Sequence, residues 1–117
     1  MKAIHLQPMK PGVALVTGGS KRIGKSVVKK LSSLGWKVVI HYNSSNLEAL
    51  KLKKEIINEG GFASVIRANL GNPKAVKELI MKSEKKFGKI SLLVNNASIF
   101  ENDKINDLTI NSWDIHN

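Results

Sequence analysis

Two hydrophobic periods alternate along the chain from residue 12 onward. Val13 to Thr17 (V-A-L-V-T) is an unbroken apolar run, the pattern of a short strand buried on both faces. Ile23, Val27, Val28, Leu31 and Leu34 then recur at helical spacing, and Gly35 supplies a stop. Lys37 to Tyr42 (K-V-V-I-H-Y) predicts a second strand, and the polar stretch Asn43 to Asn46 a turn and helix cap. Ala49, Leu52 and Ile56, widened by Leu50 and Ile57, predict a second helix. Its opposite face carries Glu48, Lys51, Lys54 and Glu55, and it ends at Gly60-Gly61. Ala63 to Arg67 predicts a third strand. Pro73 suits the start of a third helix, where its missing N–H costs nothing. The stripe of that helix is Val76, Leu79, Ile80 and Phe87, and Gly88 stops it. Ile90 to Asn95 (I-S-L-L-V-N) predicts a fourth strand. The tail from Ile99 is polar and loop-like, with a helix starting near Asn111. Residues 1–11 show no period and are expected to be a flexible lead-in.

The order βαβαβαβ places the chain in the α/β class. It predicts a Rossmann-type parallel sheet with right-handed crossovers and helices on both faces. Residues 12–117 form one domain on this reading, truncated after the fourth strand and the start of the next helix. Leu92, Leu93 and Val94 would then lie on an apolar edge with unpaired N–H and C=O groups, which invites association. Ligands of such sheets bind beyond the carboxyl ends of the strands, where strand order reverses. That point lies by the first turn, after Thr17.

Composition narrows the classes. With 117 residues there is room for one domain, and 42% apolar residues suffice for a core. No apolar run reaches the roughly 18–20 residues that span a bilayer, and the first residues show no secretory pattern. There is no cysteine, which excludes disulfides and thiolate metal sites, and the three histidines His5, His41 and His116 show no ligand spacing. A cytoplasmic protein without a structural metal is the simplest expectation. The net charge of +10 raises the question of nucleic acid. However, Lys25, Lys29, Lys30, Lys74, Lys77, Lys82, Lys85 and Lys86 interleave with apolar helix positions, as solvated faces do. Aromatic residues make up only 5%, and none alternates with the basic ones to form a stacking platform.

The chemistry concentrates in the first turn, Thr17-Gly18-Gly19-Ser20-Lys21-Arg22-Ile23-Gly24. A strand runs in and a helix runs out, so small residues let a pyrophosphate approach the backbone and the helix N-terminus offers unpaired N–H groups. A Gly-rich turn that merely connects two elements is the alternative, and the strand-turn-helix context favours the phosphate role. The end of the second strand reads His41-Tyr42-Asn43-Ser44-Ser45, with no carboxylate before Glu48. An acid there would favour NAD; its absence, beside Lys21 and Arg22, favours the 2′-phosphate of NADP(H).

The turn resembles the short-chain dehydrogenase/reductase fingerprint T-G-x-x-x-G-x-G, with Arg22 in place of the middle glycine. That replacement is similar to the pteridine-reductase branch, where T-G-x-x-K-R-x-G is usual. Asn95-Asn96-Ala97-Ser98 resembles the family's N-N-A-G segment, which orders the central sheet and lines the cofactor cleft. The resemblance covers about residues 12–117. It implies a cofactor site from Gly18, Ser20, Lys21, Arg22, Ile23 and Gly24. Further along the chain it adds Tyr42, Asn43, Ser44, Ser45, Asn69, Leu70, Asn96, Ala97 and Ser98. It also implies that Phe100 stacks on a pterin ring, with Ser98 and Arg22 beside it, although Phe100 reads equally as a loop-anchoring hydrophobe. Ser44 departs from the arginine frequent in that branch, and Asn69 from an aspartate that faces adenine.

Family members are roughly twice as long, an ordinary size for one α/β domain. Their catalytic serine and Tyr-x-x-x-Lys pair come later in the chain. The one tyrosine here is Tyr42, followed four residues on by Asn46. No catalytic residue is therefore assigned in this chain. The leading expectation is the NADP(H)-binding part of a short-chain reductase, homo-oligomeric when complete, which moves hydride between NADPH and a small carbonyl or pterin-like substrate. A truncated product that only binds dinucleotide is a second reading, and a basic nucleic-acid-binding domain a third.

Overall fold

The computed structural model describes residues 10–44 and 46–96, and the backbone of 109–112. Four parallel strands and three helices alternate: β1 (Val13–Thr17), α1 (Arg22–Ser33), β2 (Lys37–Tyr42), α2 (Asn46–Asn58), β3 (Phe62–Arg67), α3 (Pro73–Phe87) and β4 (Ile90–Asn95). The sheet order is β3-β2-β1-β4, with a fifth strand, β5 (Thr109–Ser112), beyond β4. The chain thus builds outward from β1 to β3, then crosses back over β1 to place β4 on its other side. Strand order reverses between β1 and β4, where Thr17 pairs with Asn95.

Alternation along the strands separates two cores. Ala14 and Val16 of β1, with Val38 and Ile40 of β2, pack against Val28 of α1 and Ala49, Leu52 and Ile56 of α2. Val13, Leu15 and Val39 face the other way, against Leu79 of α3. Both sides of β1 are buried along its whole length, as an unbroken apolar run requires. Trp36, which the periodicity did not single out, caps the first core at 6% exposure.

The helix ends follow local chemistry. Asn72 caps α3, its side-chain oxygen accepting from the Lys74 N–H at 3.0 Å, with Pro73 as the first helical residue. The chain leaves α1 through Gly35 and α3 through Gly88, at φ of 94° and 100°, a conformation that favours glycine. Lys29 of α1 and Glu55 of α2 are joined by a 3.2 Å salt bridge.

Within the polar tail, expected as loop running into a helix near Asn111, Thr109–Ser112 form the fifth strand, β5. It pairs antiparallel with β4, Leu92 opposite Ser112 and Asn95 opposite Thr109. β4 is therefore an interior strand rather than a bare apolar edge, because backbone pairing satisfies its N–H and C=O groups. The proposed lead-in, apart from Lys10 and Pro11, lies outside the described residues.

Candidate functional site

Hydrogen bonds from three strands converge on the first turn. The Gly18 N–H donates to His41 Nδ1 at 2.9 Å, and the Gly19 N–H donates to the His41 carbonyl at 3.0 Å. From the opposite side, Asn96 Nδ2 donates to the Gly18 carbonyl at 3.0 Å. Below them the Thr17 hydroxyl accepts from the Asn96 N–H and donates to Asn95 Oδ1, each at 3.0 Å. The turn is thus held between β2 and β4, at the reversal of strand order.

Close packing holds the start of α1 against this turn. A Cβ built on Gly24 would lie 2.3 Å from the Gly18 carbonyl oxygen and 2.6 Å from Asn96 Nδ2, so no larger residue fits without displacing backbone. Gly18 takes a φ of 61°, and Arg22 a φ of 44°. Positive φ costs a branched backbone about 1 kcal/mol or more, which explains why glycine suits the position that Arg22 occupies. Lys21 is the N-cap residue and makes no side-chain capping bond, and the first turn of α1 contains no acid. The first N–H groups of a helix have no intrahelical partner. Those of Arg22, Ile23 and Gly24 therefore form an anion-attracting end flanked by the exposed cations of Lys21 and Arg22.

The remaining candidates ring this centre. Ser20 is buried in the turn. Tyr42 ends β2 and packs on the first core, and its carbonyl accepts from the Ala68 N–H at 3.1 Å. Asn43 and Ser44 follow, exposed. Asn69 and Leu70 lie just past β3. Asn69 Oδ1 accepts from the Gly71 N–H at 3.0 Å, closing a local turn, and Leu70 packs on the second core. The carboxyl ends of β1, β2, β3 and β4 thus bring together Gly18, Ser20 to Gly24, Tyr42 to Ser44, Asn69, Leu70 and Asn96. Ser45, Ala97, Ser98 and Phe100 lie outside the described residues.

Two residues join the site that the sequence reading passed over. Arg67, at the end of β3, donates from Nε to the Asn43 carbonyl at 3.0 Å and braces the loop after β2. The second is His41, one of three histidines scattered along the sequence. It is 1% exposed, and its Nε2 lies 2.8 Å from the Ala68 carbonyl. Burial pushes its imidazole below the ordinary value, and the bond to Ala68 pulls weakly the other way. The signal was present in K-V-V-I-H-Y: a histidine at an inward strand position, level with a glycine turn.

Among the described residues no group of three or more His, Cys, Asp or Glu side chains is placed to hold a metal ion, and no helix is long and apolar enough to cross a membrane.

Known proteins resemble this chain in sequence and fold. The 3-oxoacyl-[acyl-carrier-protein] reductase of Synechocystis sp. is 40% identical over 101 residues, 86% of this chain and 41% of that protein. Among solved structures, FolM alternative dihydrofolate reductase 1 from Brucella canis, complexed with NADP, superposes with a TM-score of 0.72 at 42% identity. That match covers 81% of this chain and 38% of the other. The Brucella suis FolM enzyme, also with NADP, gives 0.72 at 39% identity over 90% of this chain and 41% of its own. The chain spans about two fifths of the length of the curated relatives it matches. A family model described as short chain dehydrogenase matches residues 12–116, and the chain belongs to that family.

Proposed function

We propose that this chain is the NADP(H)-binding part of a short-chain reductase. The observation that carries the reading is the first turn: an uncapped, acid-free helix N-terminus seated against the Gly18 carbonyl through Gly24, which admits no Cβ, at the reversal of strand order. The site fits the cofactor chemically. A pyrophosphate would lie against the N–H groups of Arg22 to Gly24. Lys21, Arg22 and the polar loop from Asn43 to Ser45 would receive the 2′-phosphate. Asn69 and Leu70 would border the adenine, and Asn96 with Ala97 and Ser98 the inner end of the cleft. Bound there, NADPH supplies a hydride to the substrate.

The residues of this chain bind and orient; they do not move the proton. Tyr42, the one tyrosine, ends β2 in a partly buried position, and no lysine follows it four residues on. For the complete enzyme we propose a small carbonyl or pterin-like substrate. The pterin reading draws support from Arg22 in place of the middle glycine and from the likeness to two alternative dihydrofolate reductases. Arg22, Ser98 and Phe100 are the residues proposed to meet that substrate.

Calorimetry on the 117-residue polypeptide tests the cofactor reading. NADP+ should bind at least tenfold more tightly than NAD+, with no NADPH oxidation on adding dihydropterin or ketone. Equal or tighter binding of NAD+ overturns the assignment of the 2′-phosphate, and turnover overturns the purely binding role.

A further inference from the structure

The imidazole of His41 lies beneath the phosphate-binding turn rather than in it. Both of its ring nitrogens are occupied: Nδ1 by the Gly18 N–H at 2.9 Å and Nε2 by the Ala68 carbonyl at 2.8 Å. A backbone N–H can only donate and a carbonyl can only accept. The ring is therefore neutral, with its proton on Nε2. One side chain thus spans the turn after β1 and the segment after β3, while its own carbonyl holds the Gly19 N–H. Gly18 needs that support. Gly18 lies past the paired registers of β1, so its N–H has no partner in the sheet ladder and takes His41 Nδ1 as its acceptor.

We propose that His41 is a positioning residue for the dinucleotide site: its unprotonated Nδ1 fixes the Gly18 peptide and, through it, the presentation of the N–H groups at the start of α1. This rests on the NADP(H) reading above. The bond acts on Gly24 as well, because the Gly18 carbonyl, on the next peptide, fills the space beside the Gly24 Cα and accepts from Asn96 Nδ2. If the Gly18 N–H turned to find another acceptor, the shift would carry the Gly18 carbonyl away from Asn96 Nδ2 and loosen the seat of the helix N-terminus.

Two substitutions separate the two halves of the ring. In His41→Asn the side-chain oxygen takes the place of Nδ1, so the Gly18 bond survives while the Ala68 bond is lost. In His41→Gln the longer amide reaches Ala68, and Gly18 loses its acceptor. NADP+ titration of the 117-residue chain, with thermal unfolding of each variant, reads the difference. The expected result is a Kd within about threefold of the parent for His41→Asn. For His41→Gln the expected loss is about tenfold or more, the scale of a partly buried backbone donor left without its acceptor. Comparable losses of affinity in both variants, following their losses of stability, would reduce His41 to a packing residue and overturn the proposal. So would unchanged affinity in His41→Gln. Failure of the unsubstituted chain to bind NADP+ would instead strike the cofactor reading itself, and this proposal with it.

Discussion

Arg22 is a residue asked to do two things that compete. Its φ of 44° places a residue with a Cβ where glycine is at ease, while its side chain sets a cation beside the helix N-terminus proposed to take the pyrophosphate. Backbone strain of this kind persists where the surroundings impose it and is often tied to function. Arg22→Gly should therefore keep or raise stability, by up to about 1 kcal/mol, and weaken the preference for NADP+ over NAD+ severalfold. Arg22→Ala should weaken that preference without the gain in stability. Urea unfolding and paired titrations measure both, and a glycine variant clearly less stable than the parent would show that the positive φ is not strained. His41 gives the second test at this scale. Its folded-state pKa is lowered by burial, so below about pH 6.5 the unfolded chain takes up a proton that the folded chain refuses. The histidine contribution to stability is complete above that pH. It declines as pH falls toward the lowered folded value, by at most about 1.4 kcal/mol per pH unit. Urea midpoints across pH 7 to 5 should fall for the parent more steeply than for His41→Asn. Parallel profiles would mean that the imidazole is not held neutral.

At the scale of elements, the match between pattern and structure has a simple basis. β1, β2 and β4 were legible to the residue because unbroken apolar runs between glycines and polar turns have few other ways to be buried. Helix ends were legible because Gly35, Pro73 and Gly88 carry strong local preferences. β5 was not. Thr-Ile-Asn-Ser has neither an apolar run nor a clear alternation, and what makes it a strand is the free edge of β4, a tertiary partner invisible in four residues. The bonding of His41 was hidden for a related reason: its partners Gly18 and Ala68 are distant in sequence and meet only when three strands align. The pairing of β5 makes a prediction in turn. Removing residues 109–117 should expose Leu92 to Val94 along an unpaired edge, lower the unfolding midpoint and promote association on sedimentation. A shortened chain that stays monomeric and equally stable would show that β5 contributes nothing to the closure of the sheet.

For the molecule as a whole, charge and site are arranged separately. The net charge is +10, yet Lys77, Lys82, Lys85 and Lys86 lie exposed on α3, while the cations beside the turn proposed to bind phosphate are Lys21 and Arg22. The central claim is that one end of the sheet, and not the basic helical surface, binds NADP(H). Amide chemical shifts of the 15N-labelled chain, followed as NADP+ is added, test it most directly. The account predicts the largest changes in Gly18 to Gly24, Tyr42 to Ser44, Asn69, Leu70 and Asn96, with smaller ones for NAD+ at equal concentration. Changes confined to the lysines of α3, or none at the first turn at saturating NADP+, would contradict it.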